Sequence, residues 1–169
     1  MEKSFLTSLA RYNAYADRIL LETAAKIPYE TLEATPSPSR HSALTLIKHT
    51  LDTQAFFLAQ LQGKEFNSRM KSLTSMEEIQ SHVQQNQEEF LSYVDSLDDV
   101  GFTREVEITL GEHKFRLLVG QVLLQVLMHS AQHRGELSII LSSLGYPLPI
   151  DDIIIQLIEQ RGQTWPLKK

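Results

Sequence analysis

Cysteine is absent from this chain of 169 residues, and several kinds of chemistry are excluded with it. Without thiols the protein forms no disulfide, offers no thiolate to a metal ion and supplies no sulfur nucleophile of its own. Any metal ion must therefore be held by histidine, aspartate or glutamate.

Glycine and positive charge are also scarce. The seven glycines are nowhere arranged as GxGxxG or GxxxxGK, so nothing supports a phosphate-binding loop. The formal net charge is −5, and no Lys/Arg cluster alternates with aromatic residues, which argues against nucleic acid as a partner. We therefore expect no nucleic-acid partner; the small-molecule substrate that we expect instead rests on the histidines described below.

Long apolar runs are missing as well. No segment approaches the roughly 20 apolar residues that span a membrane, and charged residues interrupt the N-terminal segment. These features predict a cytoplasmic protein with no membrane partner. A length of 169 residues with 42% hydrophobic content predicts a single domain, residues 1–169, with a core of its own.

Helical periodicity is what the chain has in abundance. Apolar residues recur every three or four positions in four long segments, namely 3–27, from Ser42 to about residue 61, 76–97 and 121–144. Residues 28–41 contain three prolines and are expected to form an ordered loop. Between Thr103 and Phe115 the period changes to two, which predicts a β-hairpin, and Asp151 or Asp152 precedes a short apolar helix. The predicted fold is an all-α four-helix bundle with a small β-hairpin before the last long helix and a short C-terminal helix.

Two histidines lie inside the most apolar helical segment. His129 and His133 fall on the same stripe as Val126 and Leu137, where a helix normally buries aliphatic residues. Imidazoles four residues apart converge above one helical turn and can bind one divalent cation. A pair of core histidines that are hydrogen-bonded to neighbours explains the spacing equally well.

A third histidine, His49, falls in a second largely buried row of the helix that begins near Ser42. Three nitrogen ligands from two helices would leave an open position, which is typical of catalytic metal sites. The chain has no Glu-x-x-His, His-Glu-x-x-His or G-x-S-x-G, which argues against di-iron bundles, metalloproteases and serine hydrolases. A non-catalytic binding protein, or three histidines that only pack in the core, remain as alternatives.

The other polar candidates have simpler interpretations. His82 lies off its helical stripe and His113 lies on the return arm of the hairpin, so both are expected at the surface. Asn13 and Asp17 flank the stripe of the first helix and could reach toward the bundle interior, but we expect them to be solvated boundary residues.

Three segments resemble the DinB-like (YfiT-like) family of metal-dependent proteins. The first is RYNAYADRIL, from Arg11 to Leu20, which is similar to the family's Tyr-Asn-x-Trp-Ala-Asn, with Tyr15 and Asp17 replacing the usual Trp and Asn. The second is SALTLIKHTLDTQAFFLAQL, residues 42–61. The third and most specific is HSAQHRGELSIILSSLGYPLPIDDII, residues 129–154, which resembles the family's His-x-x-x-His-Arg-Gly-Gln.

The resemblance implies a four-helix bundle that binds zinc, nickel or another divalent metal through His49, His129 and His133, often as a homodimer. For characterised relatives it also implies transfer or isomerisation reactions with a low-molecular-weight thiol such as bacillithiol, mycothiol or glutathione. No catalytic residue beyond the metal ligands is assigned by it.

Glu136 stands where the family commonly has Gln, three residues after His133. Its carboxylate could orient a metal ligand or accept a proton from the metal-bound group. The alternative is an ion pair with a nearby Arg, or a boundary position with no chemical role.

Overall fold

The computed structural model describes residues 3–149 and 152–164. Four long helices form the bundle: α1 (Lys3–Ala24), α3 (Ala43–Leu61), α4 (Met76–Ser96) and α6 (Val119–Ser143). Shorter helices are α2 (Tyr29–Ala34), α5 (Asp99–Thr103) and α7 (Ile153–Gln160), and residues Met70–Ser72 form a 3-10 turn. The predicted all-α bundle with its hairpin and short C-terminal helix is confirmed. Among the described residues, no helix has the length and apolar character needed to cross a membrane.

The helix ends follow local chemistry. The Ser42 hydroxyl accepts a hydrogen bond from the Thr45 amide and so caps α3, and Ser75 caps α4 in the same way through the Glu78 amide. Beyond the end of α6, Gly145 has a φ of 87°, a left-handed conformation that glycine adopts without strain. These caps set the ends of the helices that the periodicity predicts.

The segment 28–41 differs from the expected loop because it contains α2. Pro28 stands directly before this helix with a φ of −53°, which is close to the helical value, and good helix formers follow it. The other two prolines lie beyond the helix, so only residues 35–42 are irregular. Pro28 helps to end α1 at Ala24 rather than at Ile27, because it has no amide hydrogen to donate to the Ala24 carbonyl and disfavours helical geometry at Ile27.

The hairpin comprises β1 (Glu105–Leu110) and β2 (His113–Leu118), which pair antiparallel with Glu105 opposite Leu118 and Leu110 opposite His113. Gly111 takes a φ of 61° in the turn. The return arm is longer than predicted and leads directly into α6.

The bundle core consists of two apolar clusters, each lined by all four long helices. One includes Leu20, Leu46, Ile79 and Leu137, and the other includes Leu6, Phe57, Phe90 and Leu123. Along α1, α3 and α6 the residues that separate the two clusters include buried polar ones. The middle level of the bundle is therefore where its chemistry is concentrated.

Candidate metal centre

Three imidazoles meet between α3 and α6, which pack against each other. His49 lies on α3, and His129 and His133 lie one turn apart on α6. Their ring centroids are separated by 5.0 Å (His49–His129), 5.3 Å (His49–His133) and 4.4 Å (His129–His133). One nitrogen of each ring lies within 4.8 Å of the others. The residues that the sequence singles out are thus brought together as one group, here called the histidine cluster.

One nitrogen of this cluster, His49 Nε2, presents a lone pair. His49 Nε2 lies 3.2 Å from His129 Nε2 and 2.6 Å from Nη2 of Arg40. Because a guanidinium can only donate, His49 Nε2 must be the unprotonated acceptor of that hydrogen bond. An unprotonated ring nitrogen is the form that binds a metal ion.

Electrostatics favours neutral rings at His49 and His129. Burial, then the neighbouring His133 and His49, then Arg40 lower the pKa of His129 to about 4. Burial, Arg40 and His133 also lower the pKa of His49. Both rings are therefore neutral near pH 7, and a cation can bind without first displacing protons from them.

The donor set fits a divalent first-row metal. Three imidazole nitrogens suit zinc, nickel and their neighbours, and in the described part of the chain no carboxylate joins the three rings as a fourth ligand. Nδ1 of His129 and Nδ1 of His133 are buried without a hydrogen-bond partner, so packing alone does not satisfy these rings. The three histidines could hold a metal ion and leave a position for an external ligand.

Glu136 connects the cluster to the loop that follows α2. Its carboxylate accepts hydrogen bonds from Ser37 Oγ (2.6 Å), Ser39 N (3.0 Å) and Ser39 Oγ (2.6 Å), and Oε2 lies 3.5 Å from His133 Nδ1. Burial alone raises the pKa of Glu136, but these hydrogen bonds outweigh it and lower the pKa to about 2. Glu136 is therefore a carboxylate that fastens the loop to α6 beside a histidine, rather than the partner of an arginine.

A second buried group, here called the polar layer, comprises Asn13, Asp17, Gln54, Ser130 and Arg134. Arg134 Nη1 donates to Asp17 Oδ1 (2.8 Å) and to Asn13 Oδ1 (2.6 Å). Asp17 Oδ2 accepts from Gln54 Nε2 (2.6 Å), which also contacts Ser130 Oγ at 3.0 Å. Burial raises the pKa of Asp17, while the charge of Arg134 and the hydrogen bonds around the carboxylate oppose that rise.

The polar layer corrects one prediction from the sequence. Asn13 and Asp17, expected to be solvated, are only 2% and 1% exposed. Their burial is possible because Arg134, which belongs to the same His-Arg-Gly-Glu segment as His133, supplies a charged partner from the opposite helix.

The remaining histidines lie outside the cluster. His113 is exposed on β2, as predicted, and His41 is exposed before α3. His82 is half-buried rather than exposed, and its Nε2 lies 3.2 Å from Asn86 Nδ2. Trp165 and Asp151 lie outside the described residues.

Comparison with known proteins gives a consistent result. Among solved structures, the crystal structure of a DinB-like protein, YjoA, from Bacillus subtilis is similar, with a TM-score of 0.63 and 19% identity over 85% of this chain and 96% of that one. At this identity the likeness establishes the fold alone. No curated protein matches the chain. The model of the DinB family matches residues 1–163, and this chain therefore belongs to the DinB family.

Proposed function

We propose that this protein is a metal-dependent enzyme in which His49, His129 and His133 hold a divalent cation. The cation, zinc or nickel, would activate a low-molecular-weight thiol or water for transfer to an electrophilic small molecule. The observation that carries this proposal is the meeting of three ring nitrogens within 4.8 Å of one another, without a fourth protein ligand in the described part of the chain.

When bound, the cation lowers the pKa of a coordinated thiol or water, so that the anionic nucleophile forms near neutral pH. The chain's own residues prepare for this in two ways. Three neutral imidazoles leave the charge of a cation uncompensated, which favours an anionic sulfur or oxygen in the open position. Glu136, 3.5 Å from His133 Nδ1, is placed to hold that ring in the orientation and tautomer that a ligand requires.

The thiol, if one is used, must come from outside, because the chain contains no cysteine. The resemblance to the DinB-like family supports bacillithiol, mycothiol or glutathione as the class of cosubstrate. On the same basis we propose a homodimer, and from the length and composition of the chain we propose a single domain over residues 1–169 and a cytoplasmic location.

The first test is elemental analysis of the purified protein and of His49→Ala. We expect close to one divalent ion per chain in the wild type and a large loss in the variant, because two ligands on one helix are only half of a site. His82→Ala is the matched control, since it removes a partly buried histidine outside the cluster. Equal metal content in all three proteins would contradict the proposal.

The second test is activity. The metal-loaded protein is incubated with each of the three thiols and a panel of electrophiles, and thiol consumption is compared with that of His49→Ala. Thiol-dependent conjugation lost in the variant would support the enzyme.

A non-catalytic metal- or ligand-binding protein related to stress is the alternative, and one observation favours it. The Arg40 guanidinium already covers the His49 lone pair, as a group that closes a binding site would. Tight metal binding without turnover on any thiol, or with water, would favour this alternative.

A further inference from the structure

Arg40 lies directly beside the histidine cluster. Its Nη2 lies 2.6 Å from His49 Nε2, and its positive charge contributes to the lowered pKa of both His49 and His129. Two positive groups, a guanidinium and a metal ion, would therefore face the same small volume. One lone pair on His49 Nε2 cannot serve both, so cation binding releases the guanidinium from that nitrogen.

Hydrogen bonds and prolines fix the loop around Arg40. Glu136 accepts three hydrogen bonds from Ser37 and Ser39, and Pro36 before these serines and Pro38 between them restrict the backbone. The Arg40 amide donates to Ser37 Oγ (3.2 Å), and Arg40 Nη1 donates to the Ser39 carbonyl (2.7 Å). Arg40 released from His49 therefore stays within a side chain's reach of the cluster.

Arg40 also lacks a counterion. Arg11, Arg18 and Arg134 pair with Asp95, Glu22 and Asp17. The other described arginines form no ion pair, but of these only Arg40 contacts a histidine of the cluster. Within residues 3–149 and 152–164, no carboxylate lies within ion-pair distance of Arg40. A divalent ion and an unpaired guanidinium repel each other unless an anion lies between them, and a carboxylate matches the planar fork of arginine.

We propose that Arg40 binds a carboxylate of the ligand that occupies the open position, and so selects thiols that carry a carboxylate over neutral ones. This inference rests on the proposed function, because it assumes a cation held by the three histidines. Arg40 would therefore be a specificity determinant outside the metal ligands. It binds the carboxylate of the external ligand, while the cation binds the ligand's sulfur.

The test uses cobalt-loaded protein, whose visible spectrum reports what binds to the ion. Two probes, 3-mercaptopropionate and 3-mercapto-1-propanol, carry the same thiol and differ in the carboxylate. Each is titrated into the wild type, Arg40→Met and Arg40→Lys, and the sulfur-to-cobalt absorption band gives a dissociation constant. Chelation by the carboxylate itself is common to all three proteins, so only the change in preference between proteins is interpreted.

We expect the preference for 3-mercaptopropionate to fall about tenfold in Arg40→Met, which is the scale of a hydrogen bond between charged groups. Arg40→Lys should retain part of it, because the charge remains but the fork is lost. Arg116→Met, which removes an exposed arginine from the hairpin, is the control with the same change in net charge and should leave the preference intact. An unchanged preference in Arg40→Met overturns the inference.

Failure of the proposed function has a different signature. Protein that takes up no cobalt overturns the metal site and this inference with it. If cobalt binds but neither thiol gives an absorption band, thiol activation is wrong. The role of Arg40 is then decided by acetate, whose binding shifts the ligand-field bands: weaker acetate binding in Arg40→Met supports the inference, and equal binding overturns it.

Discussion

Two groups of buried or half-buried polar side chains share α3 and α6 but differ in how their hydrogen bonds are satisfied. In the polar layer, Asp17 and Arg134 form an ion pair that amide and hydroxyl groups surround. In the histidine cluster, Nδ1 of His129 is buried without a hydrogen-bond partner, and Nδ1 of His133 has only the 3.5 Å contact with Glu136. The two groups are adjacent in sequence, because Ser130 follows His129 and Arg134 follows His133.

This difference indicates that the polar layer stabilises the fold, whereas the histidine cluster binds a ligand. A buried charge that finds a complete set of partners is explained by the fold itself. Three rings of one chemical kind, two of them unsatisfied, are costly to the fold and are explained by something that the rings bind. The mutations below are chosen to test whether the two groups really behave differently.

Breaking the polar layer should have the largest effect. Asp17→Ala leaves the Arg134 guanidinium buried without its counterion, which should lower the free energy of unfolding by about 3–5 kcal/mol. This loss in the free energy of unfolding is measured by urea denaturation, with circular dichroism as the signal. Asp95→Ala, which removes the exposed partner of Arg11, is the control and should cost no more than about 1 kcal/mol. Similar losses in the two variants would mean that the polar layer is no more important than a surface pair.

Adding metal should stabilise only through the histidine cluster. At a free metal concentration about 100 times the dissociation constant, the wild type should gain about 2.7 kcal/mol relative to the protein in chelator. Thermal unfolding with and without zinc or nickel measures this gain. His133→Leu should show no gain, whereas His82→Leu should keep it. A gain that survives in His133→Leu would place the ion elsewhere.

Replacing a histidine of the cluster should stabilise the metal-free protein. His133 is 5% exposed, and its Nδ1, which makes only the 3.5 Å contact with Glu136, is poorly satisfied and opposes folding when no ion is bound. His133→Leu should therefore raise the free energy of unfolding in chelator by about 1 kcal/mol.

The matched substitution in the polar layer is Asn13→Leu, which removes hydrogen bonds to Arg134 and Asp17 and should lower stability. Opposite signs for the two substitutions, measured by urea denaturation in chelator, would support the contrast between the groups. A loss of stability in both would show that the cluster is held by its own packing.

The sequence predicts the histidine cluster better than the polar layer for a physical reason. His129 and His133 share one helical turn, and His49 sits in an apolar row, so periodicity alone identifies them. Asn13 and Asp17 lie at the edge of a stripe, and only Arg134, 117 residues from Asp17, turns that edge into a buried position. Helical periodicity contains no information about which helix supplies a partner.

The position of Arg40 beside the cluster could not be predicted from the sequence for a related reason. It lies in an irregular segment, and its position depends on hydrogen bonds between Glu136 and the serines Ser37 and Ser39. The course of such a loop is set by tertiary contacts rather than by local propensity. The same contacts explain why Glu136, identified from the sequence only as a neighbour of His133, has most of its partners on the loop.

Glu136→Gln should give the smallest change in folding and tests whether the cluster depends on its surroundings. The amide oxygen still accepts hydrogen bonds from the loop serines, so stability in chelator should fall by less than about 1 kcal/mol. Metal affinity, measured by competition with a chelator, should fall about tenfold, because a neutral amide orients His133 Nδ1 less well than a carboxylate does. Glu22→Gln, in the exposed pair with Arg18, is the control for the change in charge.

The two measurements separate the two roles that the Glu136 contacts allow. Weaker metal binding with nearly unchanged stability would make Glu136 a positioning residue for His133. The Nδ1 atom of His133 would then be partly satisfied by a carboxylate on the same helix. Lower stability with unchanged metal affinity would assign the carboxylate to the loop alone. In that case metal binding would depend on the three rings alone. Among the described ion pairs, the 3.5 Å contact between His133 Nδ1 and Glu136 is the one that joins a histidine of the cluster to a carboxylate.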